Sequence, residues 1–325
     1  MILVTGGTGF LGSVLIKQLT DAGHSVIAIK REQSLIPEAL RSSSLVQWLD
    51  ADLNDYFALE EVFAGITQVF HCAAKISSQP SDAKAVFKVN REGTANIVNL
   101  CLENNARLVH VSSIAALGPN KNGQPLNEEA KWETTRRTSV YSRAKHDGEM
   151  EVWRGVVEGL DAVIVNPSII MGVGLGTGKV AANAIFDTVL KGLSVYPQGS
   201  VGIVDVEDVA SMMMQLMDAD VHGERFILNS ENVSSKKLLV SISELMGKSA
   251  PRIEAGRTLL SIAWRLAKVK TWFSGRPSAL TKDAARAASE MLQYDNSKIL
   301  QLTGHQFRPV AETLKNVYQA YYAQT

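Results

Sequence analysis

A short apolar run, Ile2-Leu3-Val4, leads directly into Thr5-Gly6-Gly7-Thr8-Gly9-Phe10-Leu11-Gly12, and no other feature of the chain constrains its fold as tightly. Glycines 7, 9 and 12 satisfy G-x-G-x-x-G, and glycines 6, 9 and 12 recur every three residues. A strand that ends in such a turn and continues as the helix-periodic Leu11–Ala22 presents bare backbone N–H groups at a helix N-terminus. That arrangement suits the pyrophosphate of a dinucleotide, because a Cβ at the glycines would block its approach. Gly6, Gly7, Thr8, Gly9, Phe10, Leu11 and Gly12 are the expected contacts.

The rest of the first half repeats the strand-then-helix rhythm. Val26–Ile29, Leu45–Trp48, Gln68–His71, Leu108–Val111 and Ala162–Val165 are short apolar runs of the kind that form buried parallel strands. Between them lie helix-periodic segments such as Ala85–Asn104, in which Val86, Val89, Ile97, Leu100 and Cys101 fall near one face. Strands alternating with helices predict an α/β chain with a doubly wound parallel sheet built by right-handed crossovers. After Pro167 the rhythm loosens into a loop punctuated by Gly172, Gly174, Gly176 and Gly178. Helices are expected at Val180–Leu190, Ser235–Met246 and Ala311–Tyr322, and a strand at Arg225–Leu228. Residues 1–165 are read as the dinucleotide-binding domain, with the chain returning to it around 200–228. Residues 166–325 form a smaller, mostly helical cap over the carboxyl edge of the sheet, where open α/β sheets bind ligands.

Composition removes other classes. Hydrophobic residues make up 46% of the 325, too many for a disordered chain. Thirty-three basic residues balance 33 acidic ones, so a generic electrostatic nucleic-acid binder is not expected. Two cysteines, Cys72 and Cys101, make neither a disulfide framework nor a four-thiolate zinc site, and read as small buried hydrophobes. No cluster of His, Cys and Asp has ligand spacing, so no metal is expected. No secretion-type leader and no membrane-length apolar run stand out, which points to a cytoplasmic protein without a membrane span. His71 reads as a strand-end residue, and Met212, Met213 and Met214 as core filling. The apolar stretch Leu259–Phe273, interspersed with Arg265, Lys268 and Lys270, either packs against the cap, covers an apolar substrate as a lid, or lies on a membrane surface.

Two places carry chemistry. Where an acid at the end of the second strand would bind the ribose hydroxyl of NAD, this chain has Lys30-Arg31. Cations there attract the 2′-phosphate of NADP, and arginine does so with a forked donor set, although Glu32 stands close by. Further on, Tyr141 and Lys145 are spaced to share one helix face. An ammonium near a phenol stabilises phenolate, so the pair can act as general acid and base at a carbonyl or alcohol oxygen. Ser112-Ser113, at the end of the fifth strand and 28 residues before Tyr141, places a hydroxyl at the same sheet edge.

With these segments in this order, the chain resembles the extended or atypical short-chain dehydrogenase/reductases over most of its length. Asp52-Leu53 resembles the family's pair after strand three that contacts adenine, and Val69-Phe70-His71-Cys72-Ala73-Ala74 its strand-four segment lining the cofactor. Asn90-Arg91-Glu92-Gly93-Thr94 resembles its Asn-x-x-Gly-Thr, where the Asn supports the active-site helix. Ser113, Tyr141 and Lys145 fall on the catalytic triad, and Ser113 is chosen over Ser112 because it precedes Gly118 by five. Asn166-Pro167-Ser168 resembles the segment beside the nicotinamide, and Val204–Ala210 a late Val-Asp-Val-x-Asp-Val-Ala. In detail the match is to the NADP-using, dihydroflavonol-reductase-like branch, where Arg31 meets the phosphate-binding arginine.

The resemblance implies a catalytic set of Ser113, Tyr141, Lys145 and Asn90. It implies a cofactor set that adds Lys30, Arg31, Asp52, Leu53, Cys72, Ala73, Ala74, Lys145, Pro167 and Ser168 to the glycine loop. The implied reaction is NADP-dependent reduction of a ketone or aldehyde, or its reverse, on a small-molecule partner. Ile114-Ala115 occupies the places where sugar dehydratases carry Asp-Glu, so dehydration is disfavoured. A nucleotide-sugar epimerase retaining NAD is the second reading, with Arg252, Arg257, Arg265 and Arg276 as cations for a diphosphate. A non-catalytic NADP-binding redox sensor is the third. The family also commonly forms homodimers through helices corresponding to Ala85–Asn104 and Ser142–Glu158.

Overall fold

Short runs of Val, Ile and Leu cannot satisfy their backbone groups alone, and here they pair side by side. In the computed structural model, which describes residues 1–77, 79–119, 124–135, 138–176, 183–256, 258–262, 264–266 and 288–323, the first six are β1 (Ile2–Thr5), β2 (Val26–Lys30), β3 (Val46–Asp50), β4 (Gln68–His71), β5 (Arg107–Val111) and β6 (Ala162–Pro167). They lie in the order β3-β2-β1-β4-β5-β6, and Glu224–Leu228 adds a seventh strand beside β6. Every pairing in this sheet is parallel. The order reverses between β1 and β4, the crevice where such sheets bind dinucleotides.

Alternation along the strands builds two cores. Val4, Phe70, Val109, Val163 and Val165 face α1 (Phe10–Asp21) and the helix Val206–Asp218, which supplies Val209, Met212, Met213 and Leu216. Leu3, Val69, Leu108 and Ile164 face the opposite layer. After the short α2 (Glu38–Arg41), that layer contains α3 (Tyr56–Val62), α5 (Gly93–Glu103) and α6 (Val140–Val157). Each fully buried Leu, Ile or Val removed from water contributes about 1.5–3 kcal/mol.

The expected continuous helix Ala85–Asn104 is interrupted. It comprises α4 (Ala83–Phe87), a π-helical turn at Lys88–Glu92, and α5. The cause is the close approach of α6, since a Cβ on Gly148 would stand 2.1 Å from the Asn90 carbonyl oxygen. That carbonyl instead accepts the Thr94 hydroxyl at 2.8 Å.

The second half leaves the sheet and returns. Ile169–Met171, Ser200–Asp205 and Glu231–Ser234 form a separate three-stranded sheet, and Val195–Pro197 pairs with Ile253–Ala255. Phe186, Leu238, Leu239, Ile242, Leu314 and Val317 make a smaller core with the helices Ala184–Leu190, Ser235–Leu245 and Val310–Tyr321. Except for Ser200–Asp205, these extra strands are three or four residues long, too short to show a period in the sequence. The start of the expected helix Val180–Leu190 lies outside the described residues, as does part of the Gly172–Gly178 loop. Leu259, Ile262 and Leu266 are 44%, 55% and 65% exposed, so these side chains do not pack into the cap; residues 267–273 of that stretch lie outside the described residues. Among the described residues no helix is long and apolar enough to cross a membrane, and no group of His, Cys, Asp and Glu could hold a metal.

Candidate active site

The glycine loop closes the carboxyl end of β1 against the end of β4. Gly6 has φ +67°, and a Cβ there would meet the Ala73 backbone nitrogen at 2.7 Å. A Cβ on Gly12 would lie 2.3 Å from the Gly6 carbonyl oxygen, so the first turn of α1 can sit this close only as glycine. Gly9 is the N-cap of α1 and offers no side chain to the helix start, and no acid lies in the first turn. The loop is thus a cradle of backbone donors without competing side chains, and it fits a pyrophosphate. Phe10 is half-buried against the core, and Leu11 is buried within it.

At the ends of β2 and β3 the two cations part company. Lys30 is paired with Asp50, its partner in the strand register. Arg31 is exposed and makes no ion pair among the described residues. Asp52 is held below its usual carboxylate range, chiefly because it accepts the Asn54 backbone N–H at 2.9 Å; Arg31 and Lys88 add to the effect. Leu53 is buried, its Cβ close under Gly93.

Below the glycine loop runs a buried polar chain. Thr5 Oγ1 lies 2.6 Å from His71 Nδ1, and His71 Nε2 lies 3.1 Å from Thr94 Oγ1. Burial pushes His71 down to about 3, so its imidazole is neutral and structural at ordinary pH. Thr5 also accepts the Ala73 N–H at 3.2 Å, which fixes the Cys72-Ala73-Ala74 edge. Asn90 completes the chain by clasping Lys75, accepting its N–H at 2.7 Å and donating to its carbonyl at 3.0 Å. Asn90 therefore supports the segment after β4.

At the end of β5, Ser113 caps the short 3-10 turn Ile114–Ala116, accepting the Ala115 N–H at 3.1 Å. The turn packs against the start of α6, where Tyr141 stands beside Ser113. Burial holds that phenol above its usual value, and the neighbouring Ser113 hydroxyl partly offsets this. Lys145, one turn on, is 3% exposed and donates to the Val111 carbonyl at 2.7 Å. Burial pushes it down to about 8. In this arrangement the ammonium is engaged with the end of β5, one helical turn from the phenol. Pro167 ends β6, and the buried Ser168 Oγ finds no partner among the described residues.

A family model described as the NAD dependent epimerase/dehydratase family matches residues 2–229. The chain belongs to that family. It is an NAD(P)-dependent enzyme of the extended short-chain dehydrogenase/reductase type. Among curated relatives it is 31% identical to "Putative dihydroflavonol 4-reductase" of Synechocystis, over 93% of this chain and 88% of that protein. It is 32% identical to tetraketide alpha-pyrone reductase 2 of Arabidopsis thaliana, over 70% and 77% of the two chains. Its fold resembles that of a UDP-glucose 4-epimerase from Thermotoga maritima, with a TM-score of 0.79 at 21% identity over 99% of each chain. Reductase-named relatives make this family member an oxidoreductase.

Sequence reasoning overlooked one residue beside this enzyme's site. Glu149, one turn beyond Lys145, is fully buried, and its carboxylate accepts from Ser112 at 2.6 Å and Asn166 at 2.9 Å. It pairs with Arg225 at 3.0 Å. The only signal in the sequence was an acid four residues after the lysine on the same helix face.

Proposed function

We propose that this enzyme uses NADP to reduce the carbonyl of an apolar small molecule to an alcohol, or runs the reverse. The observation that carries the reading is the meeting of Ser113, at the turn after β5, with Tyr141 and Lys145 at the start of α6, where Lys145 donates to the Val111 carbonyl at 2.7 Å, and the glycine cradle on the adjacent side of the crevice. When bound, the nicotinamide supplies or accepts the hydride. Ser113 and Tyr141 would orient the substrate oxygen by hydrogen bonds, and the Tyr141 hydroxyl would donate the proton that completes the alcohol. A phenol held above its usual value is protonated at neutral pH, which suits a proton donor and hence reduction. Lys145 would hold the nicotinamide ribose and keep positive charge behind the phenol. Arg31 supports NADP over NAD, because it is the exposed cation at the ribose position while Lys30 is engaged by Asp50. Ile114 and Ala115 next to Ser113 support an apolar substrate.

The test is a panel of ketones and aldehydes followed through NADPH oxidation, with a UDP-sugar epimerisation assay beside it. Turnover of a carbonyl that falls roughly 100-fold or more in Tyr141→Phe, with NADPH still bound, is the expected result. Epimerisation without net NADPH oxidation would replace this reading by the epimerase one.

A further inference from the structure

The interior behind Tyr141 contains more ionisable groups than the reaction uses. Lys145 and Glu149, buried one turn apart on α6, reach consecutive residues at the end of β5: Lys145 donates to the Val111 carbonyl at 2.7 Å and Glu149 accepts from the Ser112 hydroxyl at 2.6 Å. His71 and Cys72 from the end of β4 and His110 from β5 lie around the same ammonium. These three are uncharged at ordinary pH. Burial pushes His71 down to about 3 and the Cys72 thiol up to about 12, and holds His110 well below its usual value. Both ring nitrogens of His110 are without partners among the described residues, so it offers the ammonium no hydrogen-bonded support. Glu149 is the buried carboxylate one turn from Lys145 on the same helix.

The carboxylate of Glu149 is also tied to the strand ends that carry the site. Oε2 accepts from Ser112, the neighbour of Ser113, and from Asn166 Nδ2. The same Asn166 nitrogen donates to the Ser113 carbonyl at 3.0 Å. Oε1 accepts from Trp153 Nε1 at 3.3 Å and from Arg225 on the seventh strand at 3.0 Å. Arg225 in turn donates to the carbonyls of Glu128 and Ala130, in the stretch between Ser113 and Tyr141.

We propose that Glu149 is a positioning residue, its carboxylate being the counter-charge that keeps Lys145 protonated inside the sheet edge and sets the pH range of turnover. This rests on the Ser113–Tyr141–Lys145 reading above for its effect on turnover, but not for its effect on Lys145 itself. An isolated buried ammonium loses its proton readily, and a neighbouring carboxylate opposes that loss. Part of the carboxylate's field is spent on Arg225, so the two neighbours act on Lys145 in opposite senses.

The test reads Lys145 without turnover. In protein labelled with 13Cε,15Nζ-lysine, the Lys145 resonance is assigned by its absence in Lys145→Arg and titrated against pH. Glu149→Gln should lower the midpoint by about one pH unit or more, a tenfold loss of proton affinity. Ser112→Ala, which removes a hydrogen bond to the same carboxylate without changing charge, should leave the midpoint in place. Arg225→Gln should raise it, and serves if Glu149→Gln does not fold. Where a carbonyl substrate is turned over, the alkaline limb of kcat/KM in Glu149→Gln should move down by the same interval. An unmoved Lys145 midpoint in either folded charge variant overturns the proposal. A moved midpoint in an enzyme that reduces no carbonyl upholds it and rejects the proposed reaction instead.

Discussion

Arg31 and Lys30 show how neighbouring residues of the same charge come to differ. The strand register opposes Lys30 to Asp50 and spends its ammonium there, whereas Arg31, past the strand end, stays exposed. Arg31→Gln should therefore lower kcat/KM for NADPH by about 10- to 100-fold, the worth of one or two charge-assisted hydrogen bonds, and leave NADH nearly unaffected. The ratio of the two specificity constants checks it; an unchanged ratio removes Arg31 from the phosphate site. His71 carries a pH prediction. Its folded value is pushed down from 6.5 to about 3, so the unfolded chain binds a proton that the native imidazole refuses. The stability this contributes is present above about 6.5 and is lost as pH falls towards 3, at up to about 1.4 kcal/mol per pH unit. Urea unfolding between pH 4 and 7 should show a shallower slope in His71→Gln than in the parent, and equal slopes would contradict the assignment.

Among the elements, the π-helical turn at Lys88–Glu92 most directly shapes the site. It arises because α6 presses Gly148 against the Asn90 carbonyl, and it leaves the Asn90 amide turned towards Lys75. Asn90→Ala would strand both backbone groups of Lys75 and should cost about 1–3 kcal/mol in global stability. Amide exchange of the segment after β4 should accelerate in that variant, while the NADPH contacts of the glycine loop persist. If exchange there is unaltered, Asn90 acts elsewhere. The helical period of Ala85–Asn104 was readable in advance, but not its interruption, because the interruption is imposed by a helix that begins some 50 residues later.

For the whole molecule, α5 and α6 lie side by side on one face of the sheet, and α6 exposes Met150 and Val157 at 43% and 89%. We expect these helices to form the seam of a homodimer. Light scattering should give twice the mass of the 325-residue chain, falling to the single-chain mass in Met150→Glu/Val157→Glu; a monomeric parent would end the idea. The alternation of strand and helix and the glycine loop could be read from the amino-acid order, whereas the candidate set Ser113, Tyr141 and Lys145 was completed by the family resemblance. Glycine geometry and side-chain periodicity are properties of short stretches of chain, and they survive without knowledge of what packs on them. Three things were decided only by tertiary structure: which of two adjacent cations remains exposed, which segment Asn90 clasps, and which acid is buried one turn beyond Lys145. Those depend on burial and on partners such as Glu149 and Arg225, 76 residues apart, whose meeting is set by the stacking of strands and not by any local pattern.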